Sequence, residues 1–285
     1  MLWLLISQLF FVINNILWKT FLSVSLTFKL VFVRAIFTSL CFMFLYFFMD
    51  GNFYTEILYP GYYLIIIGSI FGAAGLYCLI EFLKQGALNF MGYYQFFGIA
   101  ITGVYTLLFK GDKLNNTYYI VGLIFIILGF TVFLLATNKN TAHKKANYKD
   151  HLLLIVMTIC FNTAMIIQSK VVNNFSFVTV GLSQELVIVV FAGLLTLLLK
   201  NTSTTANEQI IYSWRPIIMA IVIVAAIVLG LIGLKATNPL SSSLFGLLVP
   251  ILTVFGGVIL FKEKVSVQHY IALVIMMIGA IGMML

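Results

Sequence analysis

Ten long apolar runs follow one another along this chain, and each is close to the length that a helix needs to cross a lipid bilayer. A crossing helix takes about 20 predominantly apolar residues to span the roughly 30 Å hydrocarbon core. Hydrophobic residues make up 62% of the 285 residues and charged residues 8%, a composition far from that of soluble domains. We therefore predict an all-α membrane protein with ten transmembrane helices, at residues 2–20, 29–49, 61–84, 88–109, 117–136, 151–170, 177–199, 214–235, 239–261 and 266–285.

The chain divides into two halves that resemble one another. We predict a first five-helix repeat at residues 1–137, a polar linker at 138–150 and a second five-helix repeat at 151–285. Lys19 matches Lys170 and Lys84 matches Lys235 at a separation of 151, and further matches recur at 151 or 152. Because an odd number of crossings brings the chain out on the opposite side, the two repeats are predicted to be inverted. Inverted repeats are typical of secondary transporters, whose substrate site lies near the bilayer midplane between the repeats.

The ninth predicted span carries a proline at membrane depth. Asn238 is a suitable N-cap and Pro239 a suitable first residue for a helix that continues to residue 261. Within that helix Pro250 has no N–H to donate to the carbonyl of Gly246, and the glycine has no side chain to cover it. Irregular backbone is tolerated in a membrane only where protein or a water-filled cavity surrounds it. The pattern therefore predicts that Pro250 lines a cavity.

Polar side chains inside the spans recur at helical intervals. Such residues are costly in lipid and are expected to face protein or water. The candidate residues for a substrate cavity are Asn14, Trp18, Tyr94, Gln95, Thr102, Asn162, Glu185, Ser242, Gly246 and Pro250. The alternative is that these groups only join neighbouring helices through hydrogen bonds, each worth about 0.6 kcal/mol on average.

Two ionisable residues fall well inside spans, Arg34 and Glu185, at equivalent positions of the two repeats. They either approach one another or each contacts a charged group of the substrate, and Glu185 could carry a coupling proton. For Arg34 the alternative is that its side chain extends to the lipid headgroups. Glu81 lies three residues before Lys84, a spacing that predicts a local pair on the helix surface.

Small residues in two spans predict close contact between helices. Gly68 and Gly72 form a small-xxx-small pair in the third span, and Gly279 and Gly282 lie close together near the C-terminus.

Three segments of the second half carry a resemblance to a known family: Asn-Pro-Leu-Ser-Ser-Ser-Leu at 238–244, Val-Pro-Ile-Leu-Thr at 249–253 and Gly-Gly-Val-Ile-Leu-Phe-Lys-Glu-Lys at 256–264. With Arg34 and the run from Asn14 to Lys19, they make the chain similar to the EamA-like members of the drug/metabolite transporter (DMT) superfamily. The resemblance implies ten spans, a transport function and both termini inside the cell. It also implies that Glu263 and its counterpart Asp112 mark the short turn after the fourth span of each half. Gly98 stands where Pro250 stands in the second half, so a proline-broken fourth span is implied only there.

Several function classes are disfavoured by the residues themselves. The net charge of +8 comes from basic residues at the ends of apolar runs, so we predict no nucleic-acid partner. The cysteines, Cys41, Cys78 and Cys160, lie singly inside spans, and no histidine spacing suggests a metal, so neither metal nor cofactor is predicted. The segment from Gly181 to Glu185 begins like a nucleophile elbow but lacks its second glycine. No ATP-binding loop is present, so active transport must use an ion gradient or a partner.

The sequence therefore favours a secondary transporter, and not an enzyme. We predict a multi-pass protein of the plasma (inner) membrane that exports a small organic metabolite, amino acid or amphipathic drug by alternating access. Its predicted partners are the lipid bilayer, a small-molecule substrate and a coupling ion such as H⁺. A monomer is sufficient for such a mechanism, and a homodimer is compatible with it. The alternatives are a non-transporting membrane sensor or assembly factor and, least favoured, an intramembrane enzyme. Two orientations stay open, because the distribution of Lys and Arg places both termini outside whereas the resemblance places them inside.

Overall fold

A computed structural model describes residues 2–22, 27–48, 53–110, 116–139, 147–198, 213–237 and 245–283, and the regular elements within those ranges are all helices. The helices are α1 (Leu2–Leu22), α2 (Thr27–Phe48), α3 (Phe53–Ile57), α4 (Tyr62–Leu83), α5 (Leu88–Lys110), α6 (Thr117–Lys139), α7 (Tyr148–Val171), α8 (Phe177–Leu198), α9 (Arg215–Lys235), α10 (Leu248–Leu260) and α11 (Val267–Gly282). Each predicted span coincides with one of these helices over most of its length, and α3 is a short additional helix.

Seven helices within the described ranges are long and apolar enough to cross a membrane, namely α1, α2, α4, α6, α7, α8 and α9. The chain is therefore an integral membrane protein. Helix α5 is long enough, at 23 residues, but it carries several amide and hydroxyl side chains that lower its hydropathy. Helices α10 and α11 are apolar but shorter, at 13 and 16 residues.

The prediction of one continuous helix over residues 239–261 is wrong. The helical path is interrupted by a turn at Gly246 and Leu247, and α10 begins only at Leu248. Pro250 then lies in the first turn of α10, where a missing N–H breaks no helical bond. The Gly246 carbonyl also has a partner, because the Val249 N–H donates to it at 3.1 Å. Proline thus sets where the helix restarts and leaves no open carbonyl, while residues 238–244 lie outside the described ranges.

The segment between α6 and α7 is shorter than the linker predicted at residues 138–150. Helix α6 continues to Lys139 and α7 begins at Tyr148, so both ends of that segment are helical. The Asp150 carboxylate accepts the N–H of Asn147 at 3.1 Å and stabilises the start of α7.

The long helices pack mainly across the two halves. The closest partners are α1 with α9, α2 with α8, α4 with α7, α5 with α10 and α6 with α11. Glycines set the spacing: a Cβ on Gly68 of α4 would lie 3.3 Å from Ile167 of α7, and one on Gly279 of α11 would lie 2.6 Å from the Gly122 carbonyl of α6. Predicted close helix contact is confirmed at these two positions. The core therefore lies between the halves.

Candidate substrate cavity

A cavity of about 360 Å³ lies among eight helices, α1, α2, α4, α5, α7, α8, α9 and the first turn of α10, and is also lined by Gly246 in the turn before α10. Much of its wall is apolar, with the rings of Phe11 and Phe161 and side chains such as Leu76, Met91 and Ile223. Both halves of the chain contribute to the wall, whereas α6 and α11 contribute no lining residue. The cavity size is in the range of small-molecule sites.

Most of the residues predicted to line a cavity do meet in this one. They are Asn14, Trp18, Gln95, Asn162, Glu185, Gly246 and Pro250, and Arg34, which was predicted only as a charged partner, also lines the cavity. Asn14 and Trp18 are four residues apart, so they share one face of α1. The inward face of the helices was thus readable from helical spacing.

Two predicted residues lie elsewhere. Tyr94 is one residue before Gln95 and hence points about a quarter turn away; its hydroxyl meets His151 Nδ1 at 2.5 Å among packed aromatic rings. Thr102 is covered by α7, where it donates to the Asn162 side-chain oxygen at 3.0 Å. This close packing is possible because Gly98 has no Cβ, which would lie 2.3 Å from Asn162 Nδ2. Ser242, the remaining predicted residue, lies outside the described ranges.

Arg34 and Glu185 form an ion pair at the cavity wall. The Arg34 Nη2 and Glu185 Oε2 atoms are 3.0 Å apart, and the two side chains are 2% and 1% exposed. The Arg34 guanidinium also lies 5.7 Å from the centre of the Trp18 ring. The structure therefore agrees with the hypothesis that Arg34 and Glu185 approach one another. The Arg34 side chain is buried and does not extend to the lipid headgroups. Gly181 helps α2 and α8 to approach, since a Cβ there would lie 2.4 Å from the Phe42 ring.

Carboxamides form most of the polar wall. We call the seven side chains Gln8, Asn14, Asn15, Gln95, Asn162, Gln168 and Gln184 the carboxamide cluster. Some of its members bond to one another or to neighbours: Gln168 Nε2 donates to Gln184 Oε1 at 3.1 Å, and Asn15 Nδ2 to Thr253 at 3.5 Å. Gln8, Asn15, Gln168 and Gln184 were not among the predicted site residues. For Gln8 and Asn15, the signal in the sequence is their spacing of seven residues, or two helical turns, which places them on the same face of α1.

Four polar atoms of the cavity-lining side chains are buried without a hydrogen-bond partner among the described residues. Two are acceptors, Asn14 Oδ1 and Gln95 Oε1, and two are donors, Trp18 Nε1 and Arg34 Nε. A buried polar group that stays unpaired costs about 1–3 kcal/mol. The cavity-lining side chains therefore include donors and acceptors without a partner among the described residues.

Next to Trp18, two charged side chains, Lys19 and Glu263, connect the ends of neighbouring helices. Glu263 accepts the N–H groups of Leu88 and Asn89 at 2.7 and 2.8 Å, and thereby caps α5 from the other half. Lys19 at the end of α1 donates to the carbonyls of Leu83, at 3.4 Å, and of Gly86. We call these contacts of Lys19 and Glu263 the polar latch.

Local backbone geometry places Glu263 in the latch. Lys262 has φ of 52°, a left-handed conformation that ends α10 and lets the Glu263 N–H return to the Gly257 carbonyl at 3.1 Å. A Cβ on Gly257 would lie 2.4 Å from Glu263 Oε2, so glycine leaves the carboxylate its place. The sequence marked Glu263 only as part of a short turn.

Six of the seven membrane-length helices surround a cavity of small-molecule size, and this arrangement defines a polytopic membrane protein with an internal small-molecule cavity. Residues 149–285 match the model of the EamA-like transporter family. The resemblance stated for the sequence is thereby confirmed, and the family consists of transporters and not of enzymes.

The fold has counterparts among solved structures. One, described only as a crystal structure of a protein, matches with a TM-score of 0.61 at 14% identity and covers 98% of each chain. At this identity the likeness concerns the fold alone. No curated protein matches the chain significantly.

Proposed function

We propose that this protein is a secondary transporter that exports a small organic metabolite, amino acid or amphipathic drug across the plasma membrane by alternating access. The observation that carries the proposal is the cavity, because its wall is built by helices from both halves and combines apolar surface with unpaired polar atoms. One chain supplies the whole described wall, so a monomer is sufficient.

The proposed architecture is ten spans in two inverted five-helix repeats, and the helix pairing supports it. In the proposed repeat, the equivalent helices are α1 and α7, α2 and α8, α4 and α9, α5 and α10, and α6 and α11. The contact between α4 and α7 then corresponds to the contact between α1 and α9, and the contact between α4 and α8 corresponds to that between α2 and α9. All four contacts are present. Equivalent helices run antiparallel, as inverted repeats require: Arg34 meets Glu185 whereas Phe42, further along α2, meets Gly181, earlier in α8.

Alternating access requires the two ends of the cavity to close in turn, and the latch suits such a role. Lys170 is the counterpart of Lys19, but its ammonium lies 5.6 Å from the centre of the Tyr105 ring. Asp112, the counterpart of Glu263, lies outside the described ranges. In the proposed cycle the polar latch releases at one end of the cavity while Lys170 forms equivalent contacts at the other end.

The experiment compares metabolites inside and outside cells with and without the protein, and then follows each enriched solute in proteoliposomes that contain the purified chain. We expect at least one solute to leave the cells faster and to exchange across the proteoliposome membrane. A protein that moves no solute in either system is a sensor or an assembly factor, and the transport proposal is then wrong.

Proton coupling has a separate test. We propose that Glu185 carries the coupling proton, since it is a buried carboxylate at the cavity wall. Glu185→Gln cannot exchange a proton, so its transport should lose the pH dependence of the unaltered chain. A variant that transports as the unaltered chain does at every pH removes this role from Glu185.

A further inference from the structure

The carboxamide cluster gives the cavity an unusual set of polar groups. Apart from its seven side chains, the polar side chains of the described wall are Trp18, Arg34 and Glu185, and the described wall has no hydroxyl, lysine or histidine. A carboxamide is planar and presents one acceptor beside one donor group in a fixed geometry. A wall of this kind fits a solute that also carries donors and acceptors side by side on a rigid edge.

The charges of the wall favour an uncharged solute. Arg34 and Glu185 neutralise each other at 3.0 Å, so the described wall has no net charge. An anion at Arg34 Nε would lie beside the Glu185 carboxylate, which repels it, and a cation would have to compete with Arg34 for Glu185. Buried charge without its own partner is strongly disfavoured.

The unpaired atoms and the aromatic rings indicate the shape of the solute. Asn14 Oδ1 and Trp18 Nε1 are an acceptor and a donor on one face of α1, and Gln95 Oε1 is a second acceptor on α5. Phe11 and Phe161 supply flat apolar faces, and stacking of a planar base on an aromatic ring is worth about 1–3 kcal/mol. A sugar would need hydrogen bonds around its whole perimeter, which the leucine, isoleucine and methionine side chains of this wall do not provide.

We infer that the transported substrate is an uncharged planar nitrogen heterocycle of the nucleobase type. Its donor–acceptor edge binds the carboxamides of Asn14 and Gln95, in the way that Asn and Gln bind the edge of adenine in nucleic-acid recognition. Its faces lie against Phe11 and Phe161. This inference rests on the proposed transport function and specifies its substrate class.

The test uses the purified full chain in lipid nanodiscs for binding and in proteoliposomes for exchange. Adenine is the probe, indole is a bicycle of similar shape without ring acceptors, and phenylalanine is a zwitterion with an aromatic ring. We expect adenine to bind and exchange, and indole and phenylalanine to bind at least tenfold more weakly. Removal of one hydrogen bond should weaken adenine binding by about tenfold in Gln95→Met and in Asn14→Leu.

Ser39→Ala is the matched control. Ser39 is on α2 with Arg34 and also has a buried, unpaired side-chain oxygen, but it neither lines the cavity nor belongs to the polar latch. Its replacement should leave adenine binding within twofold, and thermal unfolding checks that all three variants fold. If phenylalanine or another solute exchanges and adenine neither binds nor exchanges, the substrate inference is overturned and the transport function stands. The substrate inference is also overturned if adenine binds equally well to Gln95→Met, Asn14→Leu and the unaltered chain. If no solute exchanges, the substrate inference and the transport function are both overturned.

Discussion

The ion pair between Arg34 and Glu185 allows a quantitative test of how the two halves are held together. Its atoms are 3.0 Å apart and the side chains are almost fully buried, so water cannot replace a lost partner. Removing one member of a buried pair leaves an uncompensated charge and typically costs about 3–5 kcal/mol. Replacing both members with apolar residues of similar volume is often neutral or stabilising.

The perturbations are therefore Arg34→Met, Glu185→Leu and the double variant. For a chain of this length, about 1 kcal/mol corresponds to roughly 2–4 °C in Tm. Each single change is expected to lower the Tm by roughly 6–20 °C, and the double change to restore most of that loss. The assay is thermal unfolding of the purified protein in detergent, with all variants at the same protein and lipid concentration.

Glu81→Gln is the control, because Glu81 pairs with Lys84 on the helix surface, as their spacing predicted. An exposed pair of this kind contributes about 0.2–1 kcal/mol, so the Tm should change by a few degrees at most. The reasoning is refuted if the single variants are as stable as Glu81→Gln, or if the two single losses add up in the double variant. Additive losses would mean that the two side chains act independently.

Three further predictions follow from contacts on other elements. Gln95→Met removes a buried, unpaired oxygen and should raise the Tm of the substrate-free protein by about 2 °C or more, measured by the same unfolding assay; a lower Tm would contradict the unpaired state. Glu263→Gln weakens the charge-assisted cap on α5, and Gly257→Ala displaces the same carboxylate. Both variants should therefore increase the chemical labelling of a cysteine placed at residue 87. Equal labelling in the variants and in the protein with an intact latch would contradict the latch. Gly122→Ala places a Cβ 2.4 Å from the Gly279 carbonyl and should destabilise the α6–α11 pair by about 1–3 kcal/mol without changing substrate affinity; reduced affinity at full stability would disprove the separation of this pair from the cavity.

Helix α5 shows how far a polar pattern can be interpreted before the structure is known. Gln95 and Thr102 are two helical turns apart and thus on nearly the same face, and both were predicted to line the cavity. Only Gln95 does so, because α7 packs onto α5 at Gly98 and covers Thr102 with Asn162. Helical spacing identifies a face, but the neighbouring helix decides how much of that face stays open.

The latch shows a second limit. Glu263 is 175 residues from the Leu88 N–H that it accepts. A carboxylate after a helix end has many potential partners, and no local pattern selects the start of a helix in the other half. The Arg34–Glu185 contact was easier to predict, because the two residues lie 151 positions apart, which is the separation at which the two halves of the sequence match.

The sequence by itself determined the membrane class of the protein, the approximate position of most of its helices, the irregular backbone near Pro250 and the family resemblance of its second half. These properties depend on local hydropathy, on the missing proline N–H and on short motifs, which act within one or two helical turns. The tertiary structure alone decided which carboxamides meet in the cavity, that Arg34 pairs with Glu185, and that Glu263 caps α5. Those contacts depend on the rotation and spacing of each helix against its neighbours, which glycines such as Gly98, Gly181 and Gly257 set through contacts distant in the chain.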